Sequence, residues 1–238
     1  MSDPYLYADV SVLRNKLDIK DGQTLDLIEA EQSRANMMIL YERGFHDFSP
    51  AGLCFIHRFL FGDIYSWAGE YRKINIEKAE RLLGGRSVWY SNDEMIDRDL
   101  QAAFEAIQAV SWDSFSREEF IAELVKRFPP VWQVHPFREG NTRTVVMLLT
   151  FFVEAHGYFF DKDLLAACAG YVRDSLVMAS IDQFSEPEHL ERILLDAVCT
   201  EEISSENVVE SEFPAHEKYA KYQREPYHPS PHTLKPDN

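Results

Sequence analysis

Apolar residues recur at three- and four-residue intervals along most of this chain, the pattern of helices that bury one face. TLDLIEAEQSRANMMILYERG (24–44) opens at a candidate Thr24 cap and stops at Gly44. SPAGLCFIHRFLFG (49–62) follows, with Ser49 as cap and Pro50 in the first turn, where its missing N–H costs nothing. Two further helix starts show the Ser-x-x-Glu spacing of a capping box: Ser91 with Glu94, and Ser116 with Glu119. NTRTVVMLLTFFVEAHG (141–157) is apolar on nearly every side, which predicts a central helix ended by Gly157. Further helical stretches are predicted over about 161–181 and 186–199. The expected fold class is mostly α.

One segment breaks this rhythm. In EYRKINIEK (70–78) the apolar positions Tyr71, Ile74 and Ile76 suggest a short extended stretch. Gly84-Gly85 offers a turn, and RSVWY (86–90) is rich in β-formers, so a small hairpin on a helical body is expected. Pro129-Pro130 predicts a break in the helix that approaches His135. Past about residue 200 the chain turns acidic and then rich in Pro, His and Tyr, a tail that is ordered only if it docks. The expected division is one domain over 1–200, with its core at about 50–195, and a tail over 201–238.

Composition narrows the class. Apolar residues make up 45% and charged residues 27%, as in soluble globular proteins. The longest apolar run, VVMLLTFFVEAHGYFF, is interrupted by Glu154, His156 and Gly157, so no membrane span is expected. The N-terminal residues show neither a basic region nor an apolar signal core; export is not expected, and the location implied is cytoplasmic. Cys54, Cys168 and Cys199 are odd in number and widely spaced in apolar helical contexts, which favours buried free thiols. A formal net charge of −16 repels nucleic acid and anionic membrane, but leaves room for one small anion at a local basic site.

HPFREGNTRT (135–144) is that local site. Gly140-Asn141 allows a tight turn that brings a ligand against a helix start, where unpaired N–H groups and the dipole favour an anion. Arg138 and Arg143 add positive charge, so the guest this suggests is phosphate. Glu139 beside a phosphate asks for a cation, and one carboxylate with substrate phosphates is a usual Mg²⁺ arrangement; the alternative is an ion pair with Arg138 or Arg143. His135 reads either as a neutral imidazole that accepts a proton from a hydroxyl or as a capping residue. The remaining histidines, His57 among them, form no metal-ligand pair at helical spacing, so no zinc is expected.

At this point the chain resembles a known family. HPFREGNTR is similar to the signature HxFx(D/E)GN(G/K)RxxR of the Fic/Doc family, matching at His135, Phe137, Glu139, Gly140, Asn141 and Arg143. HRFLFGDIYSWAGEYRKINIEK resembles the family's preceding helix, loop and first flap strand, and the likeness extends over roughly residues 10–195. The resemblance implies a helical bundle with a small β-hairpin flap, and transfer of AMP from ATP, with Mg²⁺, to a hydroxyl side chain of a target protein. It implies His135 as general base and Phe137 as the loop's core anchor. Glu139 is the implied Mg²⁺ ligand, while Gly140 and its neighbours Arg138 and Thr142 cradle phosphates. Asn141 is assigned to the α-phosphate and Arg143 to the β-phosphate. The flap, including Ile76, receives the target by strand addition, with Lys78 a candidate contact to the nucleotide.

Two positions depart from the pattern. Thr142 replaces Gly or Lys, which a first helical turn tolerates. Val146 replaces the second arginine, which in the family meets the γ-phosphate and pairs with an inhibitory glutamate. Loss of that charge-assisted contact is expected to weaken ATP binding roughly ten- to a hundred-fold, unless another cation such as Arg173 stands in. No Ser or Thr near either end satisfies (S/T)xxxE(G/N), which points to a separate, antitoxin-like inhibitory protein or to no such control. The alternative functions are Doc-like phosphoryl transfer, disfavoured because that subgroup has Ala at the place of Gly140, and a nucleotide-binding regulator weakened by Val146.

Overall fold

Asp21, not Thr24, starts the first helix. Its carboxylate accepts the Thr24 N–H at 2.8 Å and the Thr24 hydroxyl at 2.6 Å, so α1 runs Gly22–Arg43 and stops at Gly44. The computed structural model describes residues 3–181, 185–201 and 219–222. Over these the chain is mostly helical. α2 (Pro50–Phe61) has the expected Ser49 cap, and α4 (Arg117–Val134) has the full Ser116–Glu119 capping box. The Ser91–Glu94 box does not form. Residues 93–95 make a tight 3-10 turn before α3 (Ile96–Gln108), and the Asp93 N–H goes instead to Asn75 Oδ1 at 2.9 Å.

Pro129 and Pro130 do not break α4, contrary to the sequence expectation. A proline inside a helix costs about 3 kcal/mol or more, but the same turns bury Phe128, Val131 and Trp132 almost completely. Packing outweighs the lost backbone bonds here. α5 (Asn141–Ala155) is the predicted central helix, buried on most sides and packed on α2 and α4, with His156 and Gly157 ending it. The stretch predicted over 161–181 divides at Cys168 into α6 (Lys162–Ala167) and α7 (Ala169–Ala179); α8 (Glu188–Ala197) packs across α4 and α7.

The two-stranded antiparallel sheet lies where none was expected. β1 (Phe159–Phe160) pairs with β2 (Val198–Cys199) in the register Phe159 to Cys199 and Phe160 to Val198. The flap segment is extended but forms no strand ladder. Ile74, Ile76, Lys78 and Glu80 are more buried than Lys73, Asn75, Glu77 and Ala79, so the period-two alternation survives without a paired strand. The chain folds back through a 3-10 turn at Arg81–Leu83 and Gly84-Gly85, closed by the Glu80 N–H on the Arg86 carbonyl at 2.9 Å. Side chains take the place of a ladder: Lys78 N–H donates to Ser87 Oγ at 3.0 Å.

All three cysteines are free, but only Cys168 is fully buried, and Cys199 lies in β2 rather than in a helix. No helix among the described residues is long and apolar enough to cross a membrane. Most of the expected tail, residues 202–218 and 223–238, lies outside the described residues. Within 219–222, Tyr222 is buried and donates its hydroxyl to Asp196 at 2.6 Å, so this part of the tail docks on α8.

Ser116→Ala removes one half of the capping box of α4. It is expected to destabilise the protein by about 1 kcal/mol, read as a lower urea midpoint with an unchanged slope.

Candidate active site

α4 ends at Val134 because His135 takes a left-handed conformation, φ 50° and ψ 57°, which turns the chain out of the helix. Such a conformation costs a non-glycine residue about 1–2 kcal/mol. It is held by Arg72, itself buried, whose Nε donates to the His135 carbonyl at 2.9 Å and whose backbone N–H donates to the Pro136 carbonyl at 2.8 Å. Two residues on, Phe137 is fully buried and stacks on His57, with ring centroids 3.8 Å apart. The Asn141 side chain brackets Phe137, accepting its N–H at 2.9 Å and donating to its carbonyl at 2.8 Å. Asn141 therefore spends both ends of its amide on the loop's own backbone.

His57 supports the loop from behind. The Gly69 N–H donates to Nδ1 at 2.8 Å, which fixes the tautomer, and Nε2–H donates to the Glu139 carbonyl at 2.9 Å. Burial, chiefly, lowers its pKa from 6.5 to about 4. It is a neutral positioning group that sequence spacing marked as ordinary.

Gly140 has φ +81°, and a Cβ there would stand 2.5 Å from Phe61 Cε2. The glycine is thus required by the backbone and by α2, whatever binds in front of it. Beyond it α5 begins, and Thr142 Oγ1 accepts the Trp132 indole N–H at 2.9 Å.

These elements surround a cleft of about 820 Å³, within the usual range for small-ligand sites. His135, Arg138, Glu139, Gly140, Asn141, Thr142, Arg143 and Lys78 all line it, so the structure brings together nearly every residue singled out from the sequence. Two predicted residues lie elsewhere: Phe137 is behind the loop, and Ile76 lines a neighbouring groove with Asn75, Lys78 and Arg138.

His135 lines the cleft with an unusual environment around its ring. Its Nδ1 is 3.3 Å from the Trp132 carbonyl, which can only accept, so Nδ1 holds the proton and Nε2 presents a lone pair. Nε2 is buried and has no hydrogen-bond partner among the described residues. Tyr90 stacks on the ring at 4.0 Å between centroids. Burial first, and then the charge of Lys78, hold the imidazole well below its ordinary pKa, so it is neutral.

Every cation of the cleft has a carboxylate partner. Lys78 Nζ is 3.1 Å from Glu139 Oε2, while the Gly140 N–H donates to Oε1 at 3.1 Å. Burial raises the Glu139 pKa, but the Lys78 charge and the Gly140 N–H together outweigh it and hold the carboxyl below its ordinary value. Arg138 pairs with Asp3 at 2.8 Å. Arg143 pairs with Glu29 of α1, donates to Ser33 at 2.8 Å and lies over the Phe61 ring at 4.7 Å. Arg173 of α7 pairs with the buried Glu80 at 2.7 Å. Glu29, Glu80 and Tyr90 were not singled out from the sequence. Glu29 is recognisable only by spacing, since the buried positions of α1 (Leu25, Glu29, Ser33, Asn36, Leu40) form a stripe that is mostly polar.

Among the described residues no group of three or more His, Cys, Asp or Glu side chains could hold a metal by itself. Glu139 fits a Mg²⁺ ion that takes most of its ligands from phosphates and water. A cation, Lys78, already rests against its Oε2.

Two outcomes follow from this geometry. Gly140→Ala is expected to lower the unfolding free energy by at least about 2 kcal/mol, through the left-handed backbone and the clash with Phe61, as measured by urea unfolding. The second concerns His57, which ordinarily titrates near 6.5 but here at about 4. The unfolded chain takes up a proton in that window and the folded one refuses it. Stability present above about pH 6.5 is therefore lost as pH falls toward about 4, at roughly 1.4 kcal/mol per unit for this imidazole. His135 adds to the slope in the same direction. Urea midpoints that do not move between about pH 8 and about pH 5 would contradict this.

Comparisons with known proteins bear on the chain's family. A model of the Fic/DOC family matches residues 47–153, which take in the flap and the whole 135–144 loop. "Probable protein adenylyltransferase y4lH" of Sinorhizobium fredii is 31% identical over 167 residues, covering 69% of this chain and 82% of that protein. A protein adenylyltransferase of Bartonella henselae is 27% identical over 188 residues, covering 74% of this chain but only 33% of its own length. Among solved structures, the N-terminal Fic domain of a VirB-translocated Bep effector protein from Bartonella quintana superposes with a TM-score of 0.67 at 26% identity, covering 82% of this chain and 91% of that one. The chain belongs to the Fic/DOC family.

Proposed function

We propose that this protein is an adenylyltransferase that moves AMP from ATP onto a hydroxyl side chain of a target protein. The observation that carries the reading is His135 Nε2, a buried lone pair with no partner among the described residues, on the wall of a cleft lined by cations. A neutral imidazole with its proton on Nδ1 is ready to take a proton at Nε2. The hydroxyl gives its proton to Nε2 while its oxygen forms a bond to the α-phosphorus. The bond from that phosphorus to the β-bridging oxygen breaks, and pyrophosphate leaves. The names of the relatives, both adenylyltransferases, support the same reaction.

The remaining residues take positioning roles. The backbone at Gly140 and the first turn of α5 offer N–H groups to phosphate oxygens. Arg143 meets the β-phosphate after exchanging Glu29 for it. Glu139, with phosphates, holds Mg²⁺, which when bound supplies charge neutralisation to the departing pyrophosphate. Lys78, displaced from Glu139, remains beside the phosphates. Asn141 acts mainly by fixing the Phe137 backbone, since both ends of its amide are engaged there. The target's extended segment pairs with the flap along residues 74–78, whose inward-facing side chains alternate and whose backbone makes no strand ladder. Doc-like phosphoryl transfer is disfavoured because Gly140 has no space for the Ala of that subgroup.

The test uses ATP labelled on the α- or the γ-phosphate, cell lysate, and the wild type beside His135→Ala. Label from the α-position should appear on protein, and fall by at least about 10²-fold in the variant. Label arriving only from the γ-position would replace this reading with phosphoryl transfer. Tight ATP binding without transfer would favour a nucleotide-binding regulator.

A further inference from the structure

Val146 is partly buried and lines a small apolar cavity between α5, α7 and α8 with Val172, Leu176 and their neighbours, where the charge of an arginine would meet apolar side chains. The residue after Val172 is Arg173, and it lines the polar cleft on the other side of α7. A cation thus reaches the cleft from α7, one residue from the place where the valine packs.

Arg173 is held for a purpose that its own ion pair does not exhaust. Its Nη2 donates to Glu80 Oε1 at 2.8 Å and Oε2 at 2.7 Å. Its Nη1 makes a looser ion pair with Asp174 Oδ1 at 3.6 Å, beyond hydrogen-bonding distance. Nε and Nη1 make no hydrogen bond to the described residues, so their donors can turn to a ligand that competes with Asp174. Glu80 is only 2% exposed, so the guanidinium is tethered from beneath while its side chain stays 41% exposed. Next to it α7 starts with Ala169 and Gly170, which also line the cleft and bring a helix N-terminus to the same side. Glu80 also lies 3.5 Å from the Tyr90 hydroxyl, and the Tyr90 ring stacks on His135. The tethered cation and the proton acceptor are thus tied to one framework.

We infer that Arg173 binds the terminal phosphate of the nucleotide donor, replacing the arginine absent at Val146, with Glu80 as the residue that positions it. This rests on the nucleotide-donor reading above and adds a subsite to it. α5 supplies the near wall around the reacting phosphate, and α7 supplies the far wall for the end of the chain. The contact is charge-assisted and bidentate in capacity, as arginine–phosphate contacts commonly are.

The experiment measures Mg-ATP and Mg-ADP binding to the full chain by calorimetry, for the wild type, Arg173→Met and Arg173→Lys. Arg173→Met should weaken ATP binding about ten- to a hundred-fold and leave ADP binding unchanged. Arg173→Lys, which keeps the charge but loses the fork, should recover part of the ATP affinity. A merely structural role would weaken both nucleotides together. Equal losses for ATP and ADP, or no loss for either, overturn the assignment. If the wild type still transfers AMP in that case, the adenylyltransferase reading stands without Arg173; a wild type that binds neither nucleotide sinks both. Melting curves of the two variants show whether the fold is intact, and Arg173→Lys alone decides the matter if Arg173→Met is not folded.

Discussion

Arg72 is the interaction on which the site depends. One buried guanidinium donates to the carbonyls of His135 at 2.9 Å, Ile74 at 2.7 Å and Val134 at 3.4 Å, and also to that of Ser91. It ties together the end of α4, the left-handed residue, the extended flap and the turn that leads into α3. Hydrogen bonds from a charged group are worth about 1.5–3 kcal/mol each, more than the cost of one left-handed residue. His135 is placed by backbone carbonyls collected on an arginine, and its ring is held in turn by Tyr90 and by the Trp132 carbonyl at Nδ1. That arrangement leaves Nε2 unspent.

A division of labour follows from it. Behind the loop, the contacts are buried and fixed: His57 on Phe137 and on the Glu139 carbonyl, Asn141 on the Phe137 backbone, Phe61 against Gly140. In front of it, the contacts are exchangeable ion pairs: Lys78 with Glu139, Arg138 with Asp3, Arg143 with Glu29, Arg173 with Glu80. A polyanion entering this cleft does not meet bare positive charge. It competes with carboxylates for cations already oriented, which lowers the reorganisation needed at binding but subtracts from affinity.

The legible part of the sequence was the part written in local rules. The Ser49 cap, the Ser116–Glu119 box, the all-round apolar α5 and the 135–143 spacing each depend on residues within a few positions of one another. The illegible part depends on contacts distant in sequence. Arg72, Glu29 and Glu80 look like surface polar residues, and only the fold shows that they are buried opposite partners that lie 63, 114 and 93 positions away. The Pro129-Pro130 break failed for the same reason, since burial of Phe128, Val131 and Trp132 overrode a local cost. The flap kept its alternation but lost its ladder, because side chains such as Ser87 satisfied its backbone instead.

Val146 shows how these two levels combine. Read locally, a valine in the position of an arginine is a defect in a phosphate site. In the fold the same valine closes an apolar cavity against Val172 and Leu176, a contact that a charged side chain would spoil. Val172 packs at that cavity and the next residue, Arg173, lines the cleft, so one turn of α7 serves both the apolar packing and the placement of charge. An arginine restored at 146 would set its charge against these apolar side chains.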